Sequence, residues 1–547
     1  MRLGRKLFNK GIRVGGGARV LAILLICGLT SCGSGGEDRV ATEAPRKNLL
    51  FIMTDQQQYK ALSIAGNPVL ETPNLDRLAR QGAYFTNAYT PCAVCAPARS
   101  SILTGHTVEN TGMRTNDRAY FHEEEGLMTM PTFDEVLTEE GYHCEYYGKW
   151  HTQSSHAEIY RNPRQTAANG KSIFEHGGQN HVYMDYINAL FPRRELQEGE
   201  LYDIFTQRPY DTDPLDTYHG LDAEDIPAEV ERIQPDLHGK LEIPADHSFT
   251  AYQAKETIAA IERLQDTTFS ITCSFHFPHA PMLPVEPYYG MYPAAEMEPP
   301  ASIDDDMLNS PYRYANGRQD YPEYRDPEKI RYMISNYYGL IRELDDWVGK
   351  ILDKLDELEL TEHTLIVFTS DHGEMLGAHG LREKNVFYEE SAHIPLILRA
   401  PFGIDSGVVV DGYVSLVDLF PTILDYLDVP KQPSNGNSLR GLIEETPEGK
   451  HGKYVVTEWD YRGPVSPNYM VVADGWKLLI PYTEDSPVIN ALYNLNEDPH
   501  ELNNLLGSNP DRADYRERAE ELRAYLLEWL EKNESTHYDG VRDRVLL

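Results

Sequence analysis

Short unbroken apolar runs alternate along the chain with longer stretches whose apolar positions recur at helical spacing. Residues 48–55 are one such run, ending in Asp55, the pattern of a strand buried on both faces of a parallel sheet. Residues 269–275 and 364–370 repeat it. The first leads into His276-Phe277-Pro278-His279 and the second into Asp371-His372. Residues 394–399 predict a further strand, and a strand-like segment precedes Gly148-Lys149-Trp150-His151. Helices are predicted between these runs: 72–82, opened by Thr72 and closed by Gly82; 132–140, closed by Gly141; about 250–264; and 416–427. A longer helix at about 327–358 carries Ile330, Met333, Tyr337, Ile341, Leu344, Val348, Ile351 and Leu355 as one core-facing stripe. Strands alternating with helices predict an α/β fold with a large, mainly parallel sheet sandwiched by helices, over residues 47–450. Residues 451–547 hold strand-like runs at 454–459, 470–473 and 476–481 and an amphipathic helix at about 513–532, which predicts a smaller C-terminal α+β subdomain. Residues 152–245 and 282–325, rich in Tyr, Asp and Pro, read as long inserted loops.

The N-terminus follows a different pattern. Arg2, Arg5, Lys6, Lys10, Arg13 and Arg19 precede an apolar run, 20–29, too short to span a bilayer as a permanent helix. Residues 1–31 therefore read as an export signal. The sequence Leu29-Thr30-Ser31-Cys32 resembles a bacterial lipobox, which implies lipid on Cys32 and a membrane anchor, with 32–46 as a polar tether. An ordinary cleaved signal peptide is the simpler alternative. Both imply export, to the periplasm or the outer membrane.

Composition narrows the function classes. A hydrophobic content of 41% is that of a globular chain, and 547 residues suffice for a large core. The formal net charge is −36, and the first 31 residues hold six Lys/Arg and no acid, so the remainder is more acidic still. Such a surface excludes a nucleic-acid partner, and an anionic substrate would need a local cationic pocket. Six cysteines in this length are not a disulfide scaffold.

Against that acidic background one stretch stands out, Pro91-Cys92-Ala93-Val94-Cys95-Ala96-Pro97-Ala98-Arg99, running on to Gly105. Pro97 suits a first helical turn and Gly105 an end, which puts Cys95 at a helix mouth, where free N–H groups favour an anion. Arg99 adds a fixed positive charge one turn on. Cys92 and Cys95 also form a C-x-x-C, so a redox pair is the alternative, although nothing around it has the compact pattern of a redox domain. The polar ends of the predicted strands can converge beyond the carboxyl edge of one sheet. Asp55, Asp371 and His372 would then make a plausible divalent-metal site.

These residues carry a resemblance. Cys95-Ala96-Pro97-Ala98-Arg99 resembles the C-x-P-x-R signature of formylglycine-dependent sulfatases, in the alkaline-phosphatase superfamily. Gly148-Lys149-Trp150-His151 is similar to a second motif of that family, and Pro278-His279-Ala280-Pro281 and Lys384 to two more. The segment 492–505, Leu-Tyr-Asn-Leu-Asn-Glu-Asp-Pro-His-Glu-Leu-Asn-Asn-Leu, follows its C-terminal pattern. The resemblance spans about 47–530 and implies an alkaline-phosphatase-like fold. It implies a maturation enzyme that oxidises Cys95 to formylglycine, and calcium bound through Asp55, Gln56, residue 95, Asp371 and His372. Lys149 and Lys384 would bind sulfate oxygens, His151 would hydrogen-bond the aldehyde hydrate, and His279 would protonate the leaving alcohol. Export, lipid anchoring and long Tyr- and Asp-rich loops able to stack on and hydrogen-bond sugar rings make a sulfated oligosaccharide, from glycosaminoglycan or marine polysaccharide, the expected substrate. Two positions depart from the common pattern: Gln56 stands where many sulfatases have a second acid, and His372 where they have Asn. Both variants also resemble phosphonate monoester and phosphodiester hydrolases of the superfamily, which is the alternative activity. A glycan-binding lipoprotein without turnover is the alternative of another class.

Overall fold

The computed structural model describes residues 47–116, 130–152, 179–197, 200–203, 206, 208–216, 219–220, 236–314, 322–446, 452–460, 467–483 and 486–547. The signal, the tether and Cys32 lie outside them. At the centre is a seven-stranded sheet in the order Val408–Val410, Ala83–Phe85, Leu396–Arg399, Thr364–Ser370, Asn48–Asp55, Phe269–Pro278, His143–Gly148. Asn48–Asp55 pairs in parallel with both neighbours, Asn48 opposite Thr364 and Leu49 opposite Ser270. The sheet is mainly parallel, as expected, with one exception: Leu396–Arg399 runs antiparallel to both of its neighbours. The segment from Asp371 to Pro395 holds only short helical turns and no full crossover helix. The chain therefore re-enters the sheet from the edge at which it left, and a strand entering that way is antiparallel.

Alternation along the central strands feeds two layers. Leu49, Phe51 and Met53 pack with Ile102, Leu103, Phe133, Leu137, Phe420 and Ile423, from helices Cys95–Thr104, Phe133–Glu139 and Leu419–Tyr426. Leu50 and Ile52 face the other way, onto Leu78, Ile261, Leu344, Val348 and Ile351. Those residues belong to Pro73–Arg80, Phe249–Leu264 and the long helix Pro327–Glu357.

Two expectations need correction. Residues 152–245 are not only loop: Gln179–Leu190 is a helix, and Glu200–Tyr202, Pro209–Thr212 and Gly239–Leu241 form a three-stranded antiparallel sheet. Tyrosines do much of the packing there, with Tyr183 and Tyr210 fully buried beside Leu201 and Leu241, so a pattern read from aliphatic residues passes over it. The C-terminal region also has a fourth strand, Ala491–Asn494, beyond Tyr454–Asp460, Pro467–Ala473 and Trp476–Pro481. Helix Arg516–Lys532 covers one face of this antiparallel sheet through Leu522, Leu526 and Leu530. The other face packs on Met375, Val386 and Phe387 of the loop that follows Asp371. Residues Pro45–Leu547 form one compact unit.

Candidate active site

Cys95 is the first residue of its helix, after an extended Val94, and Gly105 closes that helix in the left-handed region at φ 70°. A side chain at Gly105 would strike Phe420. Pro97 stands in the first turn, where its missing N–H leaves no intrahelical bond unmade. The freed N–H of Ala96 is taken by Asn116 Oδ1 at 2.9 Å.

Two strand ends meet this helix mouth. Asp55 ends the central strand, and Asp371 and His372 follow the neighbouring strand Thr364–Ser370. Ligand atoms of Asp55, Cys95, Asp371 and His372 all lie within 4.8 Å of one another, and all four residues are buried. Cys95 Sγ is 3.0 Å from His372 Nε2. Asp55 Oδ1 is buried without a hydrogen-bond partner, the condition of an oxygen disposed to take a cation. Two carboxylate oxygens and an imidazole nitrogen in so small a space fit a divalent metal.

Cations surround the cluster. Arg99 is wholly buried and donates from Nε to Asp371 Oδ2 at 2.7 Å, with a second guanidinium nitrogen 3.5 Å from Asp55 Oδ2. It also donates to the Lys149 carbonyl and to Ser274 Oγ. Its charge therefore lies under the carboxylates and does not open towards a ligand. Lys149 Nζ donates to Asp55 Oδ2. The turn that carries it rests on Gly148 at φ 104°, where a Cβ would come within 1.8 Å of the Ser274 carbonyl oxygen. His151 follows with φ 45° and hydrogen-bonds towards Cys95. Lys384 Nζ donates to Gln56 Oε1 at 2.6 Å and to His279 Nε2 at 3.0 Å. His279 donates its Nδ1–H to the Ala280 carbonyl at 2.7 Å, between two cis-proline bonds. The residues expected from sequence to bind the metal and carry the catalysis thus lie in one connected, buried cluster.

Burial alone would raise the Cys95 thiol, but Lys149, Lys384 and His372 outweigh it and hold it well below the ordinary value. Asp55 is likewise held low against burial by Lys149, His279 and Arg99. Burial, then Lys384, pushes His279 well below the ordinary histidine value, and burial with Lys149 lowers His151. His372 moves up: burial opposes, and Asp371 and Cys95 prevail. Cys92 has the opposite character, its thiol raised by burial among apolar neighbours such as Val94 and Met470, which does not suit a redox partner.

Several residues of the site were not visible in the sequence. Ser274, Asn116, Tyr337 and Glu374 all contact it, and only Glu374 had a local cue, its place two residues beyond His372. Other histidines serve the fold: His379 pairs with Asp305 at 2.6 Å and His393 with Glu389 at 2.9 Å. Burial drives His276 down to about 3, so it is neutral. Arg382 pairs with Asp236 at 3.1 Å. An open cleft of about 410 Å³, bordered by Thr107, Tyr454, Tyr525 and Trp529, contains none of the catalytic candidates.

Comparison with known proteins gives a consistent result. Residues 47–429 match the family model described as Sulfatase, and 377–532 match that of the N-sulphoglucosamine sulphohydrolase C-terminal region. The chain is 28% identical over 509 residues to an arylsulfatase of Clostridium perfringens, covering 90% of this chain and 96% of that one. It is 26% identical over 560 residues to an N-acetylglucosamine-6-O-sulfatase of Bacteroides thetaiotaomicron, covering 96% and 92%. Among solved structures, a phosphonate monoester hydrolase of Silicibacter pomeroyi superposes with a TM-score of 0.69 at 22% identity, covering 90% of this chain and 96% of that one.

Proposed function

The chain belongs to the sulfatase family and is a sulfuric ester hydrolase, and from that premise we propose that it removes sulfate from sulfated carbohydrate. Cys95 acts after oxidation to formylglycine by a maturation enzyme. Asp55, Asp371, His372 and residue 95 would hold calcium, and Gln56 Oε1, which accepts from Lys384, could offer it a second lone pair. The observation that carries this reading is the convergence of Cys95, at a helix N-terminus, with two buried carboxylates on one side and Lys149, Lys384 and His279 on the other. The sugar class rests on the relative that acts on N-acetylglucosamine 6-sulfate and, more loosely, on export.

Formylglycine supplies a nucleophilic hydroxyl as its hydrate, and a bound cation supplies positive charge against a sulfate oxygen. The chain's own residues do the rest. Lys149 and Lys384 bring fixed charge to where the transferring group gathers negative charge, without reorganising as it develops. Arg99 locks Asp55 and Asp371 in place from beneath. His279 has its Nδ1–H bound to the Ala280 carbonyl, so Nε2 is the atom left to exchange a proton. Burial, and after it the field of Lys384, favour the neutral ring. A sulfate anion beside Lys384 offsets the field and lets Nε2 carry a proton to the leaving alcohol. His151, beside residue 95, is placed to take a proton back from it.

The tryptic peptide holding Cys95, from protein made in its native host, should be lighter than the cysteine form by about 18 Da, the thiol having become an aldehyde. Cys95→Ser should abolish turnover; near-wild-type activity in that variant would sink the mechanism. The Asp-Gln and Asp-His pairs, with the fold shared with a phosphonate monoester hydrolase, favour phosphonate or phosphodiester hydrolysis as the second reading. Comparable kcat/KM on a phosphodiester and a sulfate monoester would establish it in place of the first. We also read the protein as an envelope lipoprotein anchored through Cys32. Fatty-acid labelling in cells should disappear in Cys32→Ala, and unchanged labelling would remove the anchor.

A further inference from the structure

The amide of Gln56 sits between two groups of opposite hydrogen-bonding character. On one side is Lys384 Nζ, which can only donate and lies 2.6 Å from Oε1. On the other is the Glu374 carboxylate, which accepts from Nε2. Glu374 is buried, and its second oxygen accepts from the backbone N–H of Leu376 at 3.0 Å and of Glu383 at 2.6 Å. Three N–H donors thus converge on this carboxylate. The Gln56 backbone cannot swing away. It holds φ 73°, its N–H donates to Asp371 Oδ1 at 3.1 Å, and its carbonyl accepts from Tyr337 Oη at 2.7 Å.

We propose that Glu374 is a positioning residue for this site: it turns the Gln56 amide so that Oε1 faces Lys384, and it pins the loop that delivers Lys384. The two ends of that loop meet on Glu374, because Glu383 immediately precedes Lys384 and the Met375 N–H donates to the Glu383 carbonyl at 2.7 Å. The proposal rests on the reading of this pocket as a sulfate and cation site.

A reciprocal charge swap tests it, with Gln56→Glu, Glu374→Gln and the double variant compared in the matured enzyme. The readouts are KM, kcat, inhibition by inorganic sulfate, and the rise in Tm on adding calcium. Gln56→Glu faces one carboxylate with another and should weaken sulfate inhibition and raise KM about tenfold. Glu374→Gln lets the amide turn either way and should raise KM more than it lowers kcat. In the double variant a carboxylate at 56 accepts from both Lys384 and the new amide. Sulfate inhibition and KM should then return to within about threefold of wild type. Losses that simply add in the double variant would leave Glu374 holding the loop without orienting the amide, and would overturn the orienting role proposed for it. If calcium leaves Tm unchanged in all four proteins, wild type included, the cation part of the functional reading fails. Recovery or addition in sulfate inhibition still decides the role of Glu374.

Discussion

Arg99 is the residue whose loss should be felt most widely. It has no exposed surface and compensates Asp55 and Asp371 together, so an apolar replacement leaves Asp55 with Lys149 and Asp371 with His372, 3.7 Å away. Breaking a buried pair from one side costs about 3–5 kcal/mol. Arg99→Met should lose roughly that much unfolding free energy in urea, and its kcat/KM should collapse. Stability within about 0.5 kcal/mol of wild type would show that the carboxylates find other partners. At this scale the sequence was informative wherever a reactive residue ended a strand or opened a helix, as at Asp55, Cys95 and Asp371. It was silent on Ser274, Asn116 and Tyr337, because each reaches the site across contacts between distant segments.

Among the elements, the turn after His143–Gly148 ties the sheet to the pocket. Gly148 has φ 104° and no room for a Cβ beside the Ser274 carbonyl, while Gly66, at φ 89°, has nothing within 4 Å. Gly66→Ala should cost only the left-handed backbone penalty of about 1–2 kcal/mol. Gly148→Ala adds a backbone clash and must displace Lys149 and His151, so it should lower Tm further and reduce kcat/KM as well. Equal Tm losses with activity retained in both would mean that the turn is not what holds Lys149. The parallel strands and their helices were legible because burial on both faces leaves continuous apolar runs. The direction of Leu396–Arg399 was not, since the same run of residues serves either orientation. The layer around Tyr183 and Tyr210 was hidden for another reason: tyrosine reads equally well as surface or core.

For the whole molecule, acidity and burial combine into a pH dependence. Burial pushes Glu343 and Glu458 up to about 8 and Glu501 up to about 7. A folded-state value above the unfolded one means that the native chain binds more protons between roughly pH 4.5 and 8. The glutamates therefore make stability fall as pH rises through that window. His276, His279 and His151, held below the ordinary histidine value by burial, make it rise until about pH 7, so the net fall is expected between about pH 7 and 8. Glu389, held low by Lys477 and His393 against burial, acts in the opposite sense, but its effect is complete below this range. The net charge of −36 adds self-repulsion in the same direction as the raised glutamates. Urea unfolding at constant calcium should give a free energy about 1–2 kcal/mol lower at pH 8 than at pH 7. Glu343→Gln, which keeps an acceptor for Ser248, should flatten that slope; a slope that rises with pH would refute the account. By itself the sequence determined the layered α/β fold and the chemistry available at each strand end, because burial pattern and residue type are local properties. Only the tertiary structure decided that Arg99 faces carboxylates, that Lys384 meets Gln56 and His279, and that Glu374 stands behind them. Those relations join segments up to about three hundred residues apart, and proximity of that kind is a property of the packed chain.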